Sequence, residues 1–205
     1  MPGMTEPMAR IARILQPIRD ADTAAPAFTT DRGALAHNPG IVEVEVIPEV
    51  ATVEECQRVI RIAAQLEVQG SAGGTKIPRN DGTRWLYERV AEVFETANRR
   101  YRFRVVGLIE EIVVAAHAVS DQHQWEVDCA PNRTANRKLS LSLSLSDPVG
   151  NGDAVPEFPG RDVPQAPHAV GTAIVFPSFL AHRTRPVIEG MRVELRAYAY
   201  GPTFE

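Results

Sequence analysis

Glu126 and Asp128 stand two residues apart in the run Trp125-Glu126-Val127-Asp128, a spacing that puts both carboxylates on one face of an extended strand. His182 follows in a turn after an apolar stretch, and Arg192 comes ten residues later at the start of the next strand. Two carboxylates and an imidazole supply three donors for one face of an octahedral ion, leaving its other positions for a chelating ligand and oxygen. That set carries two negative charges, against one for two histidines and a carboxylate. The result is a harder, oxygen-rich site that also suits manganese or magnesium. Without a metal, two carboxylates this close oppose joint ionisation, and the one that keeps its proton is a candidate general acid or base. Arg192 shares its strand face with Glu194 and Arg196, so pairing within the strand competes with any outside anion. Taken singly, each feature has a plainer reading: solvated acids, a turn histidine, and a surface ion pair of little energetic weight. Trp125, Tyr198 and Tyr200 read as packing residues or cavity walls.

The elements that must position these groups are legible as patterns. Residues 40–47 alternate as a half-buried strand closed by Pro48. Thr52 and Glu55 form a capping-box signature ahead of Val59, Ile60, Ala63 and Leu66, which predicts a helix. Residues 70–82 hold four glycines, a proline and an Asn-Asp pair, and read as a loop beside the substrate. A second helix is expected over 83–99, with Leu86, Val90, Val93, Phe94 and Ala97 on its buried face. Strands are expected at 103–106, 110–119 and 138–146. In the last of these, leucines alternate with serines; the leucines face the core, and the serines face either solvent or a cavity that they line without filling. Helices followed by a run of strands predict an α+β domain whose antiparallel strands form a sandwich or open barrel. Residues 1–38 read as a short amphipathic helix built on Met8, Ile11, Leu15 and Ile18, then a flexible arm, ahead of one domain over 39–205. That helix packs on its own domain or on a partner subunit, which makes a homodimer a candidate assembly.

At 205 residues, 44% hydrophobic and 23% charged, the chain suffices for one domain with a substantial core. A formal charge of −4, with scattered arginines, argues against nucleic-acid and anionic-membrane partners and favours a small-molecule or peptide substrate. No apolar run is long enough to span a bilayer, and the first residues lack the order of a secretory signal, so a cytoplasmic location is expected. Cys56 and Cys129 are too few and too far apart for a disulfide framework or a zinc site. Cys56 reads as a buried small hydrophobe, and Cys129 lies one residue beyond a candidate ligand.

Three segments in order carry a resemblance to a known family: WEVD at 125–128, RKLSLSLSLSDP at 137–148, and FPSFLAHRTRPVIEGMR at 176–192, closed by Gly201-Pro202. Together they resemble the prolyl 4-hydroxylase type of iron(II) and 2-oxoglutarate-dependent dioxygenases over about the last hundred residues. The resemblance implies a double-stranded β-helix, a cupin-like jelly roll with supporting N-terminal helices. It also implies a hydroxylase-like oxidoreductase that oxidises a C–H bond of a small molecule or peptide side chain. It puts Asp128 and His182 at iron-ligand positions, Glu126 where the family has its first histidine, and Arg192 where a basic residue holds the far carboxylate of 2-oxoglutarate. Arg196 lies on the same face. His117 and His123 fall at the two tyrosine positions of the family's frame, one of which commonly contacts that cosubstrate, and Ser120 falls at its glycine. His123 is also a substitute ligand if a bulge shifts the register. The family's Arg-x-Ser pair reads Arg192-Val193-Glu194 here, where an ionised glutamate repels the cosubstrate or pairs with Arg192. The resulting expectation is an oxygenase using Fe(II) and 2-oxoglutarate. The alternatives are another divalent metal or none, with hydrolysis, elimination or isomerisation by the acid cluster, or a cavity that only binds.

Overall fold

The leucine-serine strand lies at the centre of the architecture. A computed structural model describes residues 39–66, 74–119, 121, 124–131, 133–146, 156–160 and 169–203. These all belong to one compact unit, Pro39–Glu205. The helix and arm expected within 1–38, residues 70–73, Ser120 and His123 lie outside the described residues.

The strands are β1 (Glu45–Ile47), β2 (Thr75–Ile77), β3 (Ile112–Ala118), β4 (Arg137–Ser144), β5 (Pro156–Glu157), β6 (Ala173–Pro177), β7 (Arg183–Thr184) and β8 (Met191–Tyr200). The helices are α1 (Val53–Leu66) and α2 (Arg84–Tyr101). Six strands form an antiparallel sheet in the order β1-β6-β4-β8-β3-β2, and β5 pairs with β7 in a second, short sheet. The long sheet and the short one are the major and minor sheets of a jelly roll, so the α+β expectation holds.

Period-two alternation sorts the side chains of β4, β6 and β8 onto two faces. Leu139, Leu141, Leu143 and Leu145 join Val175, Leu195, Ala197 and Ala199 against Val59, Val90, Phe94 and Tyr101 of the helices, in the main core. The opposite face turns Ser140, Ser142, Glu194, Arg196 and Tyr198 toward the interior between the sheets. The serines therefore line a cavity, the second of the two readings of that run. On the same side, Ile174 and Phe176 meet Phe158 and Leu180 in a smaller apolar cluster.

Local chemistry sets the element ends. Thr52 and Glu55 cap α1 reciprocally: the Glu55 amide donates to Thr52 Oγ1 at 3.1 Å and the Thr52 amide to Glu55 Oε2 at 2.8 Å. Burial pushes the Cys56 thiol up to about 11, as befits a small core residue. Helix α2 buries all five expected residues plus Tyr87 and Tyr101. Three strand expectations shift. Pro39–Val42 forms a 3-10 turn, which shortens the first strand to β1, although Val42, Val44 and Val46 still pack on one cluster as the alternation requires. Residues 103–106 are extended but outside any sheet ladder, joined to the C-terminal strand only through the Val106 amide to Tyr200 O at 2.7 Å and a bridge at Gly107. The glycine-rich loop contains β2, which adds to the sheet edge because Gly74, at φ +96°, carries no Cβ; one built there would lie 2.7 Å from Val114 O.

Candidate active site

Backbone pairing, rather than attraction between side chains, brings the candidate metal ligands together. Glu126 and His182 face each other as an antiparallel bridge with both amides donating at 2.9 Å. The amides of Asp128 and Cys129 both donate to Ser178 O at 3.0 Å. Ser178 is fully buried and its hydroxyl shares a 2.9 Å hydrogen bond with Ser140, tying this segment to β4. The result puts Asp128 Oδ2 3.5 Å from His182 Nε2. His182 Nδ1 lies 3.1 Å from Leu180 O. A carbonyl only accepts, so Nδ1 carries a proton, and Nε2 is the ring nitrogen that faces Asp128. Phe176 stands against the imidazole with ring centroids 4.6 Å apart, and Phe158 at 6.1 Å.

Glu126 is placed differently. Its backbone is locked beside His182 and it lines the same cavity, but the residue is exposed. Among the described residues no group of three His, Cys, Asp or Glu side chains is assembled as a metal cage. Asp128 and His182 are thus a preformed pair, and Glu126 stands at their rim. Trp125 is about half exposed beneath the Arg183 guanidinium, 4.8 Å from the ring centroid, rather than packed in a core.

Further along the cavity, β8 sends Arg192, Glu194, Arg196 and Tyr198 inward. Pairing with β3 sets His117 opposite Arg192, and pairing with β4 sets Ser142 opposite Arg196. These neighbours converge on Glu194. Arg192 Nη2 donates to Glu194 Oε2 at 2.8 Å and to Ser142 Oγ at 3.3 Å, and the Ser142 hydroxyl donates to the same carboxylate oxygen at 2.6 Å. His117 Nε2 lies 2.9 Å from Oε1, and Arg196 Nε 3.8 Å from it. Burial on its own would raise the Glu194 carboxyl. Arg192, together with His117 and Arg196, overrides it and holds the group well below the usual carboxylate range. Glu194 is therefore an anion at neutral pH.

The cavity between these groups has a volume of about 30 Å³ and is bordered by Glu126, Asp128, His182, Ser142, Glu194, Arg196 and Tyr198, but not by Arg192. That is room for about one or two waters. Arg137 backs the Tyr198 wall, its guanidinium 3.6 Å from the ring centroid, while also pairing with Glu110 and donating to Asp128 O at 3.3 Å. A larger cleft of about 500 Å³ lies elsewhere, along Arg79–Asp81 and the start of α2. It gathers no metal-ligating set, so the chemistry is assigned to the smaller cavity.

No family model matches the chain, and no curated protein matches it in sequence. Solved structures do match. A viral collagen prolyl hydroxylase from Paramecium bursaria Chlorella virus-1 is 17% identical, with 86% of this chain and 98% of that one covered at a TM-score of 0.62. A prolyl-4-hydroxylase from Pseudomonas putida is 12% identical over 80% of this chain and 88% of that one, at a TM-score of 0.59. The chain has the prolyl-hydroxylase fold. A Trichoplax adhaerens prolyl hydroxylase, solved with a hypoxia inducible factor peptide fragment, is 14% identical over 97% of this chain and 94% of that one, at 0.58.

Within the prolyl-hydroxylase fold, the two groups implied by the resemblance fare differently. The Asp128–His182 separation is under twice the ~2.1 Å reach of a metal–ligand bond; Leu180 O orients the imidazole, and Ser178 O holds the Asp128 backbone. These residues fit a divalent ion. The residues around Arg192 do not fit the far carboxylate of 2-oxoglutarate, because Glu194 already occupies the guanidinium from within the chain. Arg192 Nη1 is buried without a hydrogen-bond partner. A second carboxylate brought to it would sit against an ionised Glu194. His117 thus serves Glu194, and Arg196 is the cation bordering the cavity. Arg137, Ser142 and Ser178 emerge as positioning residues. Their signal lay in the RKLS and FPS motifs, where they stand beside the residues that draw attention.

Proposed function

We propose that this protein is a metal-dependent oxidoreductase of the oxygenase type, oxidising a C–H bond of a small molecule or a peptide side chain. The Asp128–His182 pair carries the reading: a carboxylate and an imidazole at 3.5 Å, facing a cavity, with the imidazole ring oriented by Leu180 O. Asp128 and His182 would hold the ion, with Glu126 at the rim of the same cavity as the third candidate donor. A ferrous ion, when bound, supplies the oxygen chemistry that no side chain here possesses. Phe176, Phe158 and Leu180 keep water from the imidazole, and Arg196 borders the same cavity. Trp125 and Val127 offer exposed apolar surface on either side of Glu126, which suits a peptide or another partly apolar substrate. The Trichoplax neighbour's peptide fragment supports the same substrate class.

Anaerobic titration with ferrous or manganous ion, read by calorimetry, tests the centre. One ion per chain is expected in wild type, with uptake lost in His182→Ala and Asp128→Ala. Oxygen consumption by the iron-loaded protein with 2-oxo acids then tests the oxidative step. Failure of wild type to take up either ion would defeat the proposal. Metal uptake without oxygen consumption would leave acid–base chemistry by Glu126 and Asp128 as the better account.

A further inference from the structure

From the Arg192 cluster we infer that Glu194 is a built-in replacement for a ligand's far carboxylate, so the barrel selects 2-oxo acids with an uncharged tail over 2-oxoglutarate. Two observations lead there. The Arg192 guanidinium lies off the cavity wall and is bonded to Glu194 and Ser142. Both Glu194 oxygens are engaged, one by Arg192 and Ser142, the other by His117 with Arg196 nearby. Swinging the carboxylate out would therefore strip several buried partners at once.

Charge points the same way: dianionic 2-oxoglutarate brings a second carboxylate to face the ionised Glu194, whereas a monoanionic 2-oxo acid brings none. Arg196, the cation on the cavity wall, is itself turned to Glu194, its Nε 3.8 Å from Oε1, so the internal carboxylate engages this charge too.

The inference rests on the proposed metal centre for the chelating head of the ligand and on the Arg192 cluster alone for its tail. Calorimetry on manganese-loaded protein compares 2-oxoglutarate with 2-oxopentanoate, which carries a methyl where the former carries its far carboxylate. In wild type, 2-oxopentanoate binds at least as tightly. In Glu194→Ser the order reverses, with 2-oxoglutarate tightening by about thirtyfold or more, the effect of one buried charge-assisted pair. Glu194→Gln keeps the shape without the charge and serves if the serine variant folds poorly. A wild-type preference for 2-oxoglutarate of tenfold or more overturns the inference, as does an unchanged ratio in both variants or silence toward both acids in all three proteins. If the protein takes up no manganese, the metal reading has failed, and metal-free NMR titration with glutarate and butanoate still decides the tail. Glutarate preference in the variants but not in wild type supports the inference, and any other pattern overturns it.

Discussion

Replacing Arg192 with methionine removes the charge but keeps most of the volume, and it should be among the costliest substitutions in the chain. Arg192 and Glu194 are 5% and 2% exposed and touch at 2.8 Å. With charge centres about 4 Å apart and an effective dielectric of about 20, the pair is worth about 4 kcal/mol. That agrees with the ~3–5 kcal/mol observed when one partner of a buried pair is deleted. The loss depends on pH with a definite sign. In wild type the Glu194 carboxyl is held below its ordinary value, so its contribution is present at neutral pH and is lost only as pH falls below the unfolded carboxylate value of about 4.3. In Arg192→Met, burial dominates and raises the carboxyl. The variant is then penalised at pH 7, and the penalty shrinks as the acid protonates. Urea unfolding of both proteins at pH 7 and pH 4.5 measures this: a gap of about 3–5 kcal/mol that narrows on acidification. The double variant Arg192→Met/Glu194→Leu should recover most of the loss, because no buried charge is left unpaired. A single-variant cost under about 1 kcal/mol, a pH-independent gap, or a double variant as unstable as the sum of its parts would refute the reasoning.

Other outcomes follow from the same geometry. His182→Ala and Asp128→Ala should each weaken manganese binding at least about a hundredfold by equilibrium dialysis, since loss of outer partners alone can cost that much. Glu126→His should tighten ferrous binding, because an imidazole opposite His182 adds a second nitrogen donor, which suits iron(II) better than a second carboxylate and outweighs the lost charge. Thr52→Ala breaks the reciprocal cap of α1 and should cost about 1 kcal/mol in urea unfolding. Gly171→Ala should do far more damage than Gly160→Ala. Both glycines have positive φ, but a Cβ at Gly171 would lie 1.9 Å from Ala51 O, while one at Gly160 meets nothing within 4 Å. Gly160→Ala should lose only the ~1–2 kcal/mol of left-handed strain, and the difference in unfolding midpoints isolates the clash.

The scaffold was readable where one local rule decided the outcome. The capping box at Thr52 and Glu55 uses four consecutive residues, and the apolar stripe of α2 repeats over five turns. The leucine-serine alternation of β4 could not be misassigned, because only one register buries four leucines against two helices. Prediction failed where long-range contacts decide. Residues 103–106 have strand composition but no free edge beside them, and they run past Tyr200 with a single bridge. Residues 75–77 have loop composition on both sides yet complete a sheet, because β3 offers an edge and Gly74 permits the approach.

The same distinction divides the site. Arg192 and Glu194 are two residues apart on a strand, so their pairing follows from the period of the strand alone. That His117 and Ser142 close on the same carboxylate does not, because they come from strands 77 and 52 residues away and meet it only in the observed register. A slip of one residue in β3 or β4 would turn either partner to the helix side and leave Glu194 half satisfied at a buried position. The four-way cluster therefore tightens the register of the three central strands as well as filling the anion seat. This explains how a glutamate is tolerated in the interior: its cost is offset by hydrogen bonds that lock β3, β8 and β4 to one another. Substituting Ser142→Ala or His117→Phe should accordingly loosen amide protection at the β3–β8–β4 seam more than in α1. Hydrogen exchange read strand by strand would show it, and uniform loss across the domain would count against a register-locking role.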